Sequence, residues 1–401
     1  MSSDKSRKNL NKPLLAKRIV VKIGSALLTH KTEAINKAIV ESLANEIAML
    51  SRTGIEVILV SSGAIASGRI ALNISDKIHD VSLKQVLAAV GQGLLLQLYE
   101  QTFKTHNIRI AQALLTRHDM EERLGYLNVR NTLLKLIELK VIPIVNENDV
   151  VNIEQLSDKT IGDNDTLSAL VANLVDADLL IMLGKLDGLY SNDPHLDKSA
   201  RFIPSVDNID ETILSMGGDS WSEDGVAVGY GGMSAKLQAA KMVTSAGATA
   251  IMASGLQKDI LTKLMSGENL GTRFSPTGDR IESRKRWMLS GIAQKGNLTI
   301  DSGASGALRL KTNSLLPAGV LGVTGSFSRG DVVTISDERE IVIAAGISNY
   351  NSEEIDQVKG KHSEKSESFS QFLVFGFKNF PVPLDCQKID CVKICVQDQA
   401  E

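Results

Sequence analysis

Cysteine is nearly absent. The 401-residue sequence has three, Cys386, Cys391 and Cys395, all close to the C-terminus. Their C-x4-C-x3-C spacing matches no zinc pattern, and three cannot all pair within one chain. No metal site is expected there, and free thiols fit a reducing compartment. An excess of one charge is lacking too: 44 Lys and Arg stand against 47 Asp and Glu, a formal net charge of -3. That balance argues against bulk nucleic-acid binding, which needs a basic surface. No apolar run approaches the roughly 20 residues of a membrane span. The stretch 1–17 is polar and basic and has no apolar core of a secretory signal. It reads as a disordered, solvated tail, and the chain as cytoplasmic. The six histidines are scattered, with no pair at metal-ligand spacing, and no Ser-His-Asp set stands out. There is no G-x-x-x-x-G-K-[ST] loop, no repeat and no low-complexity tract.

What is present is hydrophobic material in an alternating order. The hydrophobic fraction is 43%, enough for sizeable cores, and the length implies two domains. Strand-like runs at 18–23, 56–60, 108–115, 141–145, 179–183 and 249–252 alternate with helical spacing at 36–53, 83–105, 130–139, 166–174 and 233–245. Alternation of this kind predicts an α/β fold, a mainly parallel central sheet sandwiched by helices. The pattern changes after about Pro276. Residues 276–291 read as a linker, and 292–365 as a small β-rich domain with short strand signals that include 307–310 (ALRL). Residues 366–401 form a tail of different character.

In a parallel sheet, ligands sit beyond the carboxyl ends of the strands, and the polar loops of this chain cluster there. Lys22 ends the first strand, before Gly24 and Ser25. A lysine there can meet a transferring phosphoryl group, and a glycine turn lets N–H groups approach phosphate oxygens; an ordinary surface lysine and turn is the alternative. Ser61-Ser62-Gly63 follows the second strand and offers hydroxyls and N–H groups to an anion, or Ser as a helix N-cap. Asn146-Glu147-Asn148-Asp149 and Gly162-Asp163-Asn164-Asp165 gather amides and carboxylates; Asp165 could equally cap the helix that follows. Gly229 to Lys236 opens a helix, where glycines and a helix N-terminus make an anion site.

Taken together, VVKIGS (20–25), SSGAIASGR (61–69), LAAVGQ (87–92), LLTRHDM (114–120), NENDVV (146–151), GDNDTLSALVA (162–172), DGLY (187–190), GGMSAKLQAA (231–240) and SRKRW (283–287) resemble the amino-acid kinase family, in its glutamate 5-kinase branch. The likeness runs from about residue 18 to 360, and the segment after Gly296 is similar to a PUA domain. Residues 292–360 are net acidic, so the resemblance is not taken to imply nucleic-acid binding.

The resemblance implies ATP-dependent phosphorylation of the γ-carboxylate of L-glutamate to L-glutamyl 5-phosphate, the first step of proline synthesis, with an amino-acid kinase domain at 18–275. It implies catalytic roles for Lys22, Lys236 and Asp165, and substrate contacts from Ser62, Gly63, Asp149 and Asn164. Nucleotide contacts would come from Lys22, Gly24, Ser25, Gly184, Lys185 and the run Tyr230, Gly231, Gly232, Met233, Ser234, Ala235 and Lys236. Mg²⁺ would accompany ATP. L-proline would be a feedback inhibitor, a glutamyl phosphate reductase a partner, and the chain a homo-oligomer. Three departures stand out. Gly184-Lys185 occupies the place of a Thr-Asp or Ser-Asp pair, Tyr230 the place of a threonine, and the tail after about His362 loses the likeness. Two other classes stay open: a kinase of another amino-acid carboxylate, and a regulatory or RNA-binding protein without catalysis.

Overall fold

The computed structural model describes residues 13–29, 35–74, 80–121, 123–151, 164–217, 232–278, 295–310, 315, 317–329, 331–360 and 374–376. The chain separates into two compact units, Met1–Trp287 and Met288–Glu401. The strands of the first are β1 (Arg18–Ile23), β2 (Glu56–Ser61), β3 (Arg109–Leu115), β4 (Val141–Glu147), β5 (Leu179–Gly184), β6 (Leu189–Tyr190), β7 (Phe202–Ile203), β8 (Ser205–Val206), β9 (Thr249–Ser254) and β10 (Thr272–Phe274). Its helices are α1 (Ser25–Leu28), α2 (Lys37–Arg52), α3 (Ala64–Ala71), α4 (Val81–Lys104), α5 (Arg117–Glu121), α6 (Arg123–Glu138), α7 (Asn164–Leu174), α8 (Glu211–Ser215), α9 (Met233–Ser245) and α10 (Ile260–Met265).

Eight strands form one sheet in the order β3-β4-β2-β1-β5-β9-β10-β8. Its pairs are parallel except β10 with β9. Strand period decides which side each residue serves. In β1, Val20 joins a core with Ile58, Val60, Leu180 and Met182, covered by residues of α7 and α9 such as Val171 and Leu237. Ile19, Val21 and Ile23 join the opposite core, with Leu43 and Ile47 of α2 and Leu95, Tyr99 and Phe103 of α4. Lys22 has the parity of Val20, so it emerges on the side of α7 and α9.

Small residues let α3 and α4 cross at backbone contact. A Cβ on Gly68 would lie 1.9 Å from Leu87 O, and one on Gly91 would lie 1.8 Å from Ala64 O. Two of the motifs quoted above, SSGAIASGR and LAAVGQ, thus meet at one crossing. A third, LLTRHDM, contains a reciprocal helix start. Thr116 Oγ1 accepts from the Asp119 N–H (3.2 Å), and the Asp119 carboxylate accepts from the Thr116 N–H (2.7 Å).

Several elements depart from the sequence expectation. Helix α6 begins at Arg123 rather than 130, and β4 continues through Asn146 and Glu147. Residues 13–17, placed in the tail, are partly tied down: Leu14 N–H donates to Met265 O at 3.1 Å, and Lys17 N–H to the Asp178 carboxylate at 2.6 Å. Helix α4 is, by length and composition, apolar enough to cross a membrane, which the sequence expectation missed. Here it packs on α2, α3 and β3, with Leu87, Leu95, Tyr99 and Phe103 buried.

The second unit holds a sheet in the order β12-β11-β13-β14-β15, from β11 (Gly296–Ile300), β12 (Val320–Gly325), β13 (Val332–Ser336), β14 (Val342–Ile347) and β15 (Val374–Gly376). Its core includes Leu298, Ile300, Leu308, Val320, Phe327, Ile335 and Ile355. The ALRL run is not a strand. It closes α11 (Ser302–Leu310), because the Asp301 carboxylate accepts from the Ala304 N–H at 2.7 Å and starts a helix. Helix α12 (Ser352–Val358) opens with a capping box of Asn351 and Glu354. Strand β15 comes from the segment set aside as a tail and pairs antiparallel with β14. The three cysteines lie outside the described residues.

Candidate active site

The carboxyl ends of β1, β2, β4 and β5 and the first turns of α7 and α9 supply the polar side chains. Asp165 stands in the first turn of α7 and is fully buried. Its Oδ1 lies 2.5 Å from Lys22 Nζ and its Oδ2 lies 3.6 Å from Lys236 Nζ. Both lysines are themselves buried, at 4% and 9% exposure. Three charges in so little water persist only when paired. The carboxylate also sits at a helix N-terminus, where negative charge is favoured. Asp165 therefore bridges two lysines from distant loops instead of acting as a simple cap.

Beside this triad, Asn164 Nδ2 donates to Ser62 Oγ (2.9 Å), Asn146 Oδ1 (3.0 Å) and, at 3.4 Å, Ser61 O. Ser62 is thus a partner of α7, not an N-cap: the residue before α3 is Gly63, whose φ of 107° suits only glycine well. A Cβ there would also press on Leu28 at 3.1 Å. Asp149 lies just past β4 and is half-buried. Burial pushes its carboxyl up to about 6.

On the other flank, Gly184 closes β5, its carbonyl accepting from the Gly255 N–H at 2.9 Å, and Lys185 O accepts from Ser254 Oγ at 3.1 Å. Gly232 precedes α9 in an extended conformation. Met233 is buried, Ala235 half-buried and Ser234 exposed, with Lys236 one turn in. Gly217 packs against the backbone of Ser234, where a Cβ would lie 2.8 Å from its Cα. Tyr230 and Gly231, like Gly162 and Asp163, lie outside the described residues.

Two N–H groups expected to face an anion are otherwise engaged. Gly24 N–H donates to Leu183 O and Ser62 N–H to Ile23 O, each at 3.1 Å. Both continue the bonding between neighbouring strands past the strand ends. What Gly24 offers instead is close approach: a Cβ would meet Leu183 O at 3.3 Å. Ser25 begins α1 directly after it.

Helix α4 contributes residues that the sequence alone did not single out. Gln92 Oε1 accepts from Asn146 Nδ2 at 2.7 Å, the Tyr99 hydroxyl bonds Ser61 Oγ at 2.8 Å, and Gln85 Nε2 donates to Val150 O at 2.9 Å. Their spacing of seven is the signal that could have found them. Among the described residues, no group of three or more His, Cys, Asp or Glu could hold a metal ion.

Lys22 and Lys236, with the Asp165 carboxylate between them, carry one net positive charge, a setting that suits an anionic group. Residues 17–254 match the amino acid kinase family, and residues 296–369 match the PUA domain. A glutamate 5-kinase of Dehalococcoides mccartyi is 47% identical over 349 residues, covering 87% of this chain and 92% of that one. Glutamate 5-kinases of Herpetosiphon aurantiacus and Caldanaerobacter subterraneus are each 42% identical, covering 88% and 90% of this chain and 93% and 94% of theirs. The chain belongs to the amino acid kinase family, among the glutamate 5-kinases, and carries a PUA domain after its kinase domain.

Proposed function

We propose that the chain transfers the γ-phosphoryl group of ATP to the side-chain carboxylate of L-glutamate, forming L-glutamyl 5-phosphate, the first step of proline synthesis. The observation that carries this is the buried Lys22–Asp165–Lys236 bridge, with the hydrogen bonds of Asn164 to Ser62 and Asn146 beside it. In the reaction, a γ-carboxylate oxygen bonds to phosphorus as the bond to the ADP oxygen breaks. ADP leaves with that electron pair. The nucleophile is already ionised, so no base is needed. The enzyme's work is to orient the two reactants and to stabilise charge on the transferring group.

In this account Lys22 and Lys236 stabilise the equatorial phosphoryl oxygens, and Asp165 holds both ammonium groups in place between turnovers. Ser62, Gly63, Asp149 and Asn164 hold glutamate, with Asp149 facing its ammonium. Gly24, Ser25, Gly184, Lys185 and the segment 230–236 hold the nucleotide. Mg²⁺ enters as part of the metal–ATP substrate, carried on the phosphates. Inhibition by L-proline, transfer of the labile acyl phosphate to a reductase, homo-oligomer assembly and a cytoplasmic location belong to the same proposal and rest on the family resemblance.

The test is ADP release with ATP and Mg²⁺, with and without glutamate, in the presence of hydroxylamine. Glutamate-dependent ADP and a γ-hydroxamate are expected. A folded preparation that releases no ADP in response to glutamate refutes the proposal.

A further inference from the structure

The amide pair at the substrate side has a defined polarity, and its source lies on α4. Asn164 Nδ2 faces the Ser61 carbonyl oxygen. A main-chain carbonyl only accepts, so that end of the Asn164 amide is its nitrogen. The same nitrogen meets Asn146 at 3.0 Å, which requires Asn146 to present oxygen there and nitrogen on its other side. That nitrogen meets Gln92 Oε1 at 2.7 Å. The polarity of this chain of amides is therefore set by the backbone of β2, and Gln92 accepts at its far end. The acceptor left over is Asn164 Oδ1, which is buried with no hydrogen-bond partner among the described residues. A lone buried acceptor is completed by a donor and opposes a second acceptor.

We propose that Gln92 is a positioning residue: by accepting from Asn146 it locks the amide chain in the orientation that keeps Asn164 Oδ1 available to the substrate's α-ammonium. The proposal rests on the glutamate-kinase reading above and adds to it a determinant of selectivity for an amino acid over a plain dicarboxylate. Gln92 itself touches no reacting atom. Gln85 and Tyr99, on the same face of α4, tie down Val150 beside Asp149 and Ser61 beside Ser62, so one helix face sets the substrate loops. Replacing Gln92 with an apolar residue would let the Asn146 amide turn over. Its nitrogen would then oppose that of Asn164, and the left-over acceptor would lose its fixed place.

The test compares Gln92→Leu with Gln92→Glu, which keeps oxygen acceptors, using glutamate and glutarate, a dicarboxylate of equal length without the ammonium. In Gln92→Leu the glutamate KM should rise by about tenfold, as for loss of one buried hydrogen bond. ATP KM should stay within about threefold of the parent, and the glutamate-to-glutarate ratio of kcat/KM should fall by about tenfold. Gln92→Glu should stay near the parent. A second substitution, Asn146→Asp, presents oxygen in either orientation and should restore the ratio in the Gln92→Leu background. Equal effects of Gln92→Leu and Gln92→Glu, or an unchanged ratio in Gln92→Leu, overturn the proposal. If Gln92→Leu does not fold, Gln92→Met is measured against the same two outcomes. A parent enzyme without glutamate-dependent turnover is a different failure, that of the underlying reaction.

Discussion

Replacing Asp165 by asparagine removes one charge and no volume, so its effect isolates the electrostatics of the bridge. The carboxylate lies 2.5 Å from one buried ammonium and 3.6 Å from another. At an effective permittivity of about 20, those separations correspond to gross attractions of about 7 and about 5 kcal/mol. Most of this is offset by the cost of bringing three charges out of water. Breaking a buried pair by removing one partner typically costs about 3–5 kcal/mol, because the remaining charge is left uncompensated. Here two lysines would be left facing each other. For a domain of this size the loss corresponds to a Tm lower by roughly 6–20 °C.

The distinguishing feature is its dependence on nucleotide. ATP would bring negative phosphates to the same two lysines, so MgATP should recover part of the lost Tm in Asp165→Asn and raise the parent's Tm by less. Turnover should fall by at least about 100-fold, the penalty of misplacing groups by about 1 Å. Thermal unfolding with and without MgATP, alongside steady-state kinetics, reads both effects. A variant that melts within about 2 °C of the parent without nucleotide would refute the charge argument, whatever its activity.

Asp149 gives a pH prediction. Burial raises its carboxyl to about 6, and only the ionised form attracts an ammonium, so glutamate affinity is lost as pH falls through that value. Glutamate KM should rise by about tenfold between pH 7 and pH 5, and Asp149→Asn should flatten the profile at a high KM; a flat parental profile counts against the assignment. Gly91→Ala should destabilise by about 1–3 kcal/mol or more, since its Cβ would lie 1.8 Å from Ala64 O, whereas Gly93→Ala, with nothing within 4 Å, should be neutral or stabilising by up to about 1 kcal/mol. Denaturant midpoints of the two variants should move apart. Glu46 of α2 accepts from the N–H groups of Leu261 (2.7 Å) and Thr262 (3.1 Å) at the start of α10. Glu46→Ala should cost about 1–3 kcal/mol and Glu46→Gln less, and equal denaturant midpoints for the two would show that the bonds contribute nothing.

The order of strands and helices was legible because apolar period and glycine breaks are local signals. Strand ends and helix starts mark Lys22, Asp165 and Lys236 as candidates, the family resemblance implies their catalytic roles, and strand parity explains why the first of them turns toward α7 and α9. The hydrogen bonds of α4 were not legible. Gln92 and Asn146 are 54 positions apart, and a glutamine beside a glycine in a helix reads as surface. Equally hidden was the reason for Gly68 and Gly91, which stand in separate motifs and acquire meaning only where their helices cross. The ALRL run misled because four residues cannot distinguish a strand from the end of a helix, and the decisive signal, the Asp301 cap, stands six residues upstream.

The two faces of the sheet divide the labour of the site. Residues of even parity in β1 and the starts of α7 and α9 bring charge, two lysines held by one carboxylate. Residues on the α4 side bring amides and hydroxyls, whose polarity is set by a backbone carbonyl and a glutamine. Charge is what the transferring phosphoryl group requires, and directional hydrogen bonds are what distinguish one amino acid from a similar acid. Asn164 and Asp165 are consecutive residues at one helix start, and they join the halves: the first completes the amide chain and the second bridges the lysines. A shift of α7 along its axis would therefore disturb substrate selectivity and phosphoryl transfer together, while changes confined to α4 should separate them.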